Sequence, residues 1–323
     1  MSLTTKILVT GGAGFIGSNL AEELIKQGAR VSILDNLTTG FTENLEEVKG
    51  DFEFIKGDLN DDEKLKKSLE DVEIVFHQAA LPSVPRSVEN PLETHQACVN
   101  GTFNLLLKAK QQGIRRVIYA ASSSAYGNQK TLPKVETMIP CPLSPYAAAK
   151  LMGEYYCQVF SRVYGLETIC LRYFNVFGPK QNPSSQYSGV ISRFIDSLMS
   201  NNRPIIYGDG EQSRDFTYIA NVVDANIKAS QTYKGIGEVI NVANGERITL
   251  NDLLDTLKVI TGRNDINADY QTERKGDVKH SQADNTRARE WLRYEKLFDL
   301  ESGLRQTIEW WASSRFAEKY RKS

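Results

Sequence analysis

The chain has 323 residues, of which 41% are hydrophobic and 24% charged, with a formal net charge of −1. That length allows one large domain or two smaller ones sharing a cleft. A near-neutral chain has no long-range field to recruit nucleic acid or an acidic membrane surface, so anionic ligands must be held by a few local arginines.

In chain order, the opening MSLTTKILVTGG lacks the basic and long apolar segments of a signal peptide. No later apolar stretch approaches the ~18 residues that span a bilayer. Short β-branched runs then alternate with helix-like stretches. KILVT (6–10), VSILD (31–35), FEFIKGD (52–58), EIVFHQAA (73–80), RRVIYAASS (115–123) and TICLRYFNV (168–176) read as buried parallel strands. Between them, GSNLAEELIKQG (17–28) and TFNLLLKAKQQG (102–113) read as helices that each end on a capping glycine. This alternation predicts an α/β chain with a doubly wound parallel sheet.

The pattern breaks after residue 176, where Gly, Pro, Ser and Asn crowd FGPKQNPSSQYSG (177–189). Helical patterns follow at 190–200 and 249–262. Residues 1–176 therefore read as one domain and 177–323 as a smaller mixed α/β subdomain closing over the strand ends; a run such as GEVINVA (237–243) is a candidate to return to the main sheet. Cys98, Cys141, Cys157 and Cys170 form no C-x-x-C pair and read as reduced thiols of a cytoplasmic protein. His77, His95 and His280 lack metal-ligand spacing, so no metal is expected.

Two local patterns carry chemistry. In KILVTGGAGFIG, Gly12-x-Gly14-x-x-Gly17 fits the dinucleotide fingerprint and Gly11-x-x-Gly14-x-x-Gly17 its wider variant, after a strand and before a helix. Small residues there let the backbone approach a pyrophosphate at a helix N-terminus; the alternative is a glycine-rich turn with no ligand. Asp35 ends the next strand, near the ~20-residue spacing of a ribose-binding acid. It would repel a 2′-phosphate, which favours NAD over NADP. Asp58, at the next strand end, is an adenine-binding or loop-capping candidate.

In SPYAAAKLMGEYY, Tyr146 and Lys150 are four residues apart and share a helix face. A tyrosine of pKa ~10 is a poor base at neutral pH, but nearby positive charge favours its phenolate. A phenolate can take a proton from an alcohol while the carbon's hydride leaves for NAD. In isolation this pattern also fits an amphipathic core helix. A third feature stands just upstream: Ser122, Ser123 and Ser124 follow the apolar run VIYA.

The order of glycine fingerprint, strand-ending serines and Y-x-x-x-K helix resembles the extended short-chain dehydrogenase/reductase family over roughly residues 6–290. The resemblance is closest to the NAD-dependent nucleotide-sugar epimerases of Rossmann fold, and among these to bacterial UDP-N-acetylglucosamine 4-epimerases. It implies that Tyr146 is the catalytic base, Lys150 its pKa partner and ribose anchor, and Ser122 the hydroxyl that bonds the reacting sugar oxygen, with Ser124 beside it. It extends the NAD site to Phe15, Ile16, Asn36 and Leu59, and to Ala79, Ala80, Asn100 and Tyr173. On the substrate side it implies Arg214 and Arg274 as diphosphate arginines, Asp277 at the uridine ribose, Asn175 at a phosphate and Tyr207 beside uracil, with Val190 near them. A homodimer through helices near 92–112 and 145–164 is a further implication.

Family dehydratases carry Thr-Asp-Glu where this chain has Ser122-Ser123-Ser124. Without a carboxyl group there, the 4-keto intermediate has no evident helper for elimination, and return of the hydride to the other face gives C4 epimerisation. Pro82 stands where UDP-galactose 4-epimerases have a lysine. Ser281 stands where glucose-restricted epimerases have a bulky tyrosine, which leaves room for a 2-N-acetyl group, with Ser83 near it. UDP-N-acetylglucosamine/UDP-N-acetylgalactosamine 4-epimerisation is therefore the expected reaction. UDP-glucose/galactose or a UDP-uronic acid is the alternative substrate, since three adjacent hydroxyls also suit a C6 carboxylate. A 4,6-dehydratase or a non-catalytic NAD-sensing protein is a weaker fit.

Overall fold

The structure is a computed structural model that describes residues 5–182, 189–273 and 278–313. Seven parallel strands form the central sheet, in the order β11-β6-β5-β4-β1-β2-β3. They are β1 (Lys6–Thr10), β2 (Arg30–Asp35), β3 (Phe52–Lys56), β4 (Val72–His77), β5 (Arg116–Ser122), β6 (Glu167–Tyr173) and β11 (Glu238–Val242). The late run near 240 is thus the edge strand beside β6, with Ile240 paired to Leu171. The remaining strands form two-stranded ladders: β7 (Val176–Phe177) with β10 (Thr217–Tyr218), β8 (Ile205–Tyr207) with β13 (Asp269–Gln271), and β9 (Ser213–Arg214) with β12 (Ile248–Thr249).

The strands are apolar throughout because both faces are covered. Ile7, Val9, Ile33, Phe76, Ile118, Leu171 and Ile240 belong to one buried layer, and Leu8, Leu34, Val75, Val117, Tyr119 and Cys170 to the other. On the first face lie α1 (Phe15–Lys26) and α9 (Ile219–Gln231), which pack on each other. On the second lie α3 (Asp62–Ser68), α6 (Gly101–Gln111) and α7 (Pro145–Tyr164). A π-helical turn, Gln96–Asn100, joins α5 (Pro91–His95) to α6, so the helical segment read near 92–112 is continuous but locally widened. Among the described residues, no helix is long and apolar enough to cross a membrane.

Successive crossovers run in opposite directions from β1 and β4, so their following loops part and open a crevice at the carboxyl ends of the strands. That crevice holds the candidate site.

Candidate active site

The crevice is a cleft of about 1280 Å³ running from the glycine-rich turn, past the ends of β4, β5 and β6, to Arg214 and Ser281. A side pocket of about 210 Å³ adjoins it and is lined by Val190, Tyr207 and Gln212, with Asn175 and Arg214 on the shared wall.

At the cofactor end, the sequence forces a tight approach of backbone to backbone. Gly11 has φ +68°, and a Cβ there would sit 2.6 Å from Ala79 N. A Cβ on Gly17 would meet the Gly11 carbonyl oxygen at 2.2 Å. Helix α1 begins beyond Gly14 with no side-chain cap, which leaves N–H groups of its first turn for a ligand. The Asp35 carboxylate accepts from Ala13 N at 3.0 Å and from Leu37 N at 2.8 Å, one bond per oxygen. Each oxygen retains a lone pair for a sugar hydroxyl. Burial raises the Asp35 carboxyl, while its two N–H donors act against that shift. Asn36 Nδ2 donates to Asp58 at 2.6 Å, joining the ends of β2 and β3 above the buried Leu59. This uncapped helix, glycine cradle and acid fit a dinucleotide.

Phe15, Ile16, Ala79, Ala80 and Tyr173 also line the cleft, whereas Asn100 stands exposed at the end of the π-helical turn, off its wall. Tyr173 belongs to a cluster that no local sequence signal announces. Asn226 Nδ2 donates to the Tyr173 hydroxyl at 2.8 Å, and Gln78 Nε2 reaches the same oxygen at 3.2 Å. Burial pushes the Tyr173 phenol up to about 12, so its proton stays on and its hydroxyl pins the end of β6.

At the other end, Ser144 caps α7 by accepting from Ala147 N at 3.1 Å, and Pro145 occupies the first turn. The cap fixes where the helix starts, and so puts Tyr146 and Lys150 on the cleft wall. Ser122 in turn caps the short 3₁₀ turn Ser123–Tyr126, accepting from Ser124 N at 3.2 Å and from Ser124 Oγ at 2.8 Å. Burial raises the Tyr146 phenol above the usual tyrosine range, and a hydrogen bond with Ser122 pulls it back. Ser124, Ser122 and Tyr146 thus stand together on the cleft wall. Lys150 is 3% exposed; its Nζ stands 4.3 Å from the centre of the Tyr119 ring, and burial lowers its pKa.

His77 lies under this wall as a packing residue. Thr102 Oγ1 donates to the Cys98 carbonyl at 2.7 Å, so it accepts from His77 Nε2–H at 2.9 Å. Nδ1 is left to accept from Thr10 Oγ1 at 2.8 Å. Burial and the Lys150 charge lower His77 to about 3.

On the substrate side, Asn175 Nδ2 donates to Asp215 O at 2.8 Å and to Ser281 Oγ at 3.3 Å, tying the end of β6 to the segment after residue 278. Arg214 Nη1 donates to the carbonyls of Ser213 and Lys279, each at 3.0 Å. Asp215, next in the chain, accepts from the N–H groups of Asn244, Gly245 and Ala283 and braces this wall. Ser83 Oγ caps α4 (Val84–Glu89) by accepting from Arg86 N at 3.0 Å, with Pro82 beside it on the cleft wall. Arg274 and Asp277 lie outside the described residues.

Residues 7–243 match the NAD dependent epimerase/dehydratase family. The chain belongs to that family. A UDP-N-acetylglucosamine 4-epimerase from Methanobrevibacter ruminantium, solved with UDP-N-acetylmuramic acid, is 40% identical with a TM-score of 0.92, covering 96% of this chain and 99% of its own. UDP-glucose 4-epimerase from Thermotoga maritima, solved with UDP-glucose, is 39% identical with a TM-score of 0.91, over 95% and 99%. UDP-glucuronic acid 4-epimerase from Bacillus cereus, solved with UDP-glucuronic acid and NAD, is 33% identical with a TM-score of 0.87, over 95% and 98%. Family membership makes NAD the cofactor and an NAD-dependent epimerase the enzyme class.

Proposed function

We propose that this epimerase interconverts UDP-N-acetylglucosamine and UDP-N-acetylgalactosamine at C4. The observation that carries the reading is the Ser281 wall. Its small side chain, held by Asn175 at 3.3 Å, leaves the sugar end of the cleft open to a 2-acetamido group.

NAD, when bound, supplies reversible hydride exchange at the sugar carbon. Tyr146 takes the proton of the 4-hydroxyl and later returns it. Ser122, aimed by Ser124, holds the same oxygen, and the Lys150 ammonium on the same helix face favours the phenolate. Neither Ser123 nor Ser124 offers a carboxyl group, so the 4-keto sugar turns over and is reduced on its other face instead of losing water. The side pocket with Tyr207 and Val190 suits a uracil ring, and Arg214 and Asn175 on the shared wall suit the diphosphate that keeps the sugar tethered.

We also propose a homodimer. Met152, Tyr155, Val159 and Val163 form an exposed apolar stripe along α7, beside the exposed Phe103 of α6 and Leu92 of α5. Sedimentation of the purified protein tests this; a monomer at micromolar concentration refutes it. The four free cysteines fit a cytoplasmic setting.

Incubation with a panel of UDP-sugars, with product stereochemistry read by NMR, tests the reaction. Epimerised N-acetyl products without added NAD support the reading. Ser281→Tyr should suppress N-acetylated turnover more than UDP-glucose turnover, and equal losses would move the gate elsewhere. A 4-keto-6-deoxy product would overturn epimerisation.

A further inference from the structure

Lys150 is buried, and among the described residues no carboxylate pairs with its ammonium. What faces that ammonium is the ring of Tyr119 on β5, whose centre lies 4.3 Å from Nζ. The ring is fixed from three sides. Its hydroxyl donates to the Lys150 carbonyl at 3.2 Å, and the His77 ring stands 5.5 Å away, centre to centre. On the third side is Gly153, where a Cβ would overlap the Tyr119 hydroxyl. A glycine inside a helix weakens it; in α7 it makes room for the tyrosine that underlies Lys150.

Around the ammonium also stand His77 from β4, Cys98 from the π-helical turn, Cys170 from β6, and Cys157 and Glu154 from α7. Tyr119 keeps its proton, because burial raises its phenol well above the usual tyrosine range. His77, lowered to about 3, is neutral near pH 7. Glu154 is the carboxyl of this set, and its place one turn along α7 is the spacing of a helical ion pair with Lys150. Arg172 takes both of its oxygens instead. The difference matters for Tyr146. A carboxylate paired with Lys150 would cancel most of the ammonium's field at a neighbouring phenol. An aromatic ring has no net charge; its negative face attracts the cation at short range and leaves the charge undivided. Burial lowers the Lys150 pKa and so favours loss of its proton, whereas the ring stabilises the charged form.

We propose that Tyr119 is a positioning residue for the reaction: its ring face holds the Lys150 ammonium charged and in place, where an acid would otherwise sit, so that the whole charge acts on Tyr146. This rests on the reading of Tyr146 as the base. Tyr119 is fully buried behind the cleft wall, so it acts only through Lys150.

The test is the pH dependence of kcat/KM, measured on the NAD-bound enzyme with whichever UDP-sugar of the panel above turns over fastest. Wild type should show an acid limb that follows the Tyr146 phenolate. Phenylalanine, monofluorophenylalanine and trifluorophenylalanine at position 119 keep the shape of the ring while draining its face of negative charge step by step. The limb should stay near its wild-type position in Tyr119→Phe and move to higher pH with added fluorine. The rate at neutral pH should fall by about 3- to 30-fold across the series. A limb that stays fixed along the series, with the rate unchanged or lowered equally at every pH, overturns the proposal; a merely structural ring would give that result. Tyr146→Phe separates the two readings. Turnover retained in that variant would overturn Tyr146 as the base, and this proposal with it. Turnover abolished there, together with a limb indifferent to fluorine, overturns the Tyr119 assignment alone.

Discussion

Arg172 and Glu154 grip each other through two hydrogen bonds, Nε to Oε1 at 2.9 Å and Nη2 to Oε2 at 2.6 Å, with both side chains buried. Glu154 lies one turn beyond Lys150 on α7, and Arg172 immediately precedes Tyr173 on β6. The pair therefore clamps the Tyr146 helix to the strand whose end forms the cleft floor. Arg172→Met leaves a carboxylate buried without its partner and should cost about 3–5 kcal/mol of stability. The double variant Arg172→Met/Glu154→Leu should cost less than the sum of the two single changes. Urea unfolding of the four proteins measures the coupling, and additive costs would show that the pair does not act as a unit.

Tyr146→Phe should lower kcat by about 10²- to 10⁴-fold, the usual range for losing a positioned acid–base group, while bound NAD is retained. NAD content by absorbance, alongside turnover, separates the two. Ser124→Ala should be milder than Ser122→Ala, because Ser124 acts through Ser122. Loss of one neutral hydrogen bond of about 0.5–1.5 kcal/mol corresponds to a few-fold fall in rate. A Ser124→Ala effect as large as that of Ser122→Ala would place Ser124 on the sugar itself.

Asp35→Ala removes the acid at the end of β2. NAD affinity should fall by about 1.5–3 kcal/mol, the value of a hydrogen bond to a charged group, with a smaller change for NADP. Titration of NAD-stripped protein checks this. Undiminished NAD affinity would take Asp35 out of the cofactor site.

His77 contributes a pH dependence of known sign. Its folded pKa is depressed from the ordinary 6.5 to about 3, so the unfolded chain takes up a proton first as pH falls. The stability it lends is complete above about 6.5 and is lost on acidification towards 3, at up to ~1.4 kcal/mol per pH unit. His77→Gln should be less stable near neutrality but lose stability less steeply on acidification. Urea midpoints between about pH 7.5 and 4.5 measure both slopes. Parallel curves would mean that His77 does not govern this part of acid unfolding.

Much of this site was legible because its chemistry is local in sequence. The Gly11–Gly17 turn, Asp35 at a strand end and the Ser144-capped helix bearing Tyr146 and Lys150 each occupy a few consecutive residues whose backbone geometry follows from residue type. The Gln78–Tyr173–Asn226 cluster was not legible, since its members stand 95 and 53 residues from Tyr173. The only hint was the position of Gln78 beside Ala79. The edge strand at Glu238–Val242 is a similar case: its apolar run was visible, but its place beside β6 depends on tertiary packing.

By itself, the sequence determined the alternation of strands and helices, the glycine-rich turn and the helix that bears Tyr146 and Lys150, because those depend on periodicity, capping and the steric needs of single residues. Tertiary structure alone decided which hydroxyls and buried charges are paired. It turned Ser124 towards Ser122, made the Arg172–Glu154 clamp, and buried the Lys134 ammonium against the Gln129 carbonyl. A side chain's partner is chosen by distance in space, and hydrogen bonds and ion pairs fall off too steeply for sequence neighbours to stand in for it.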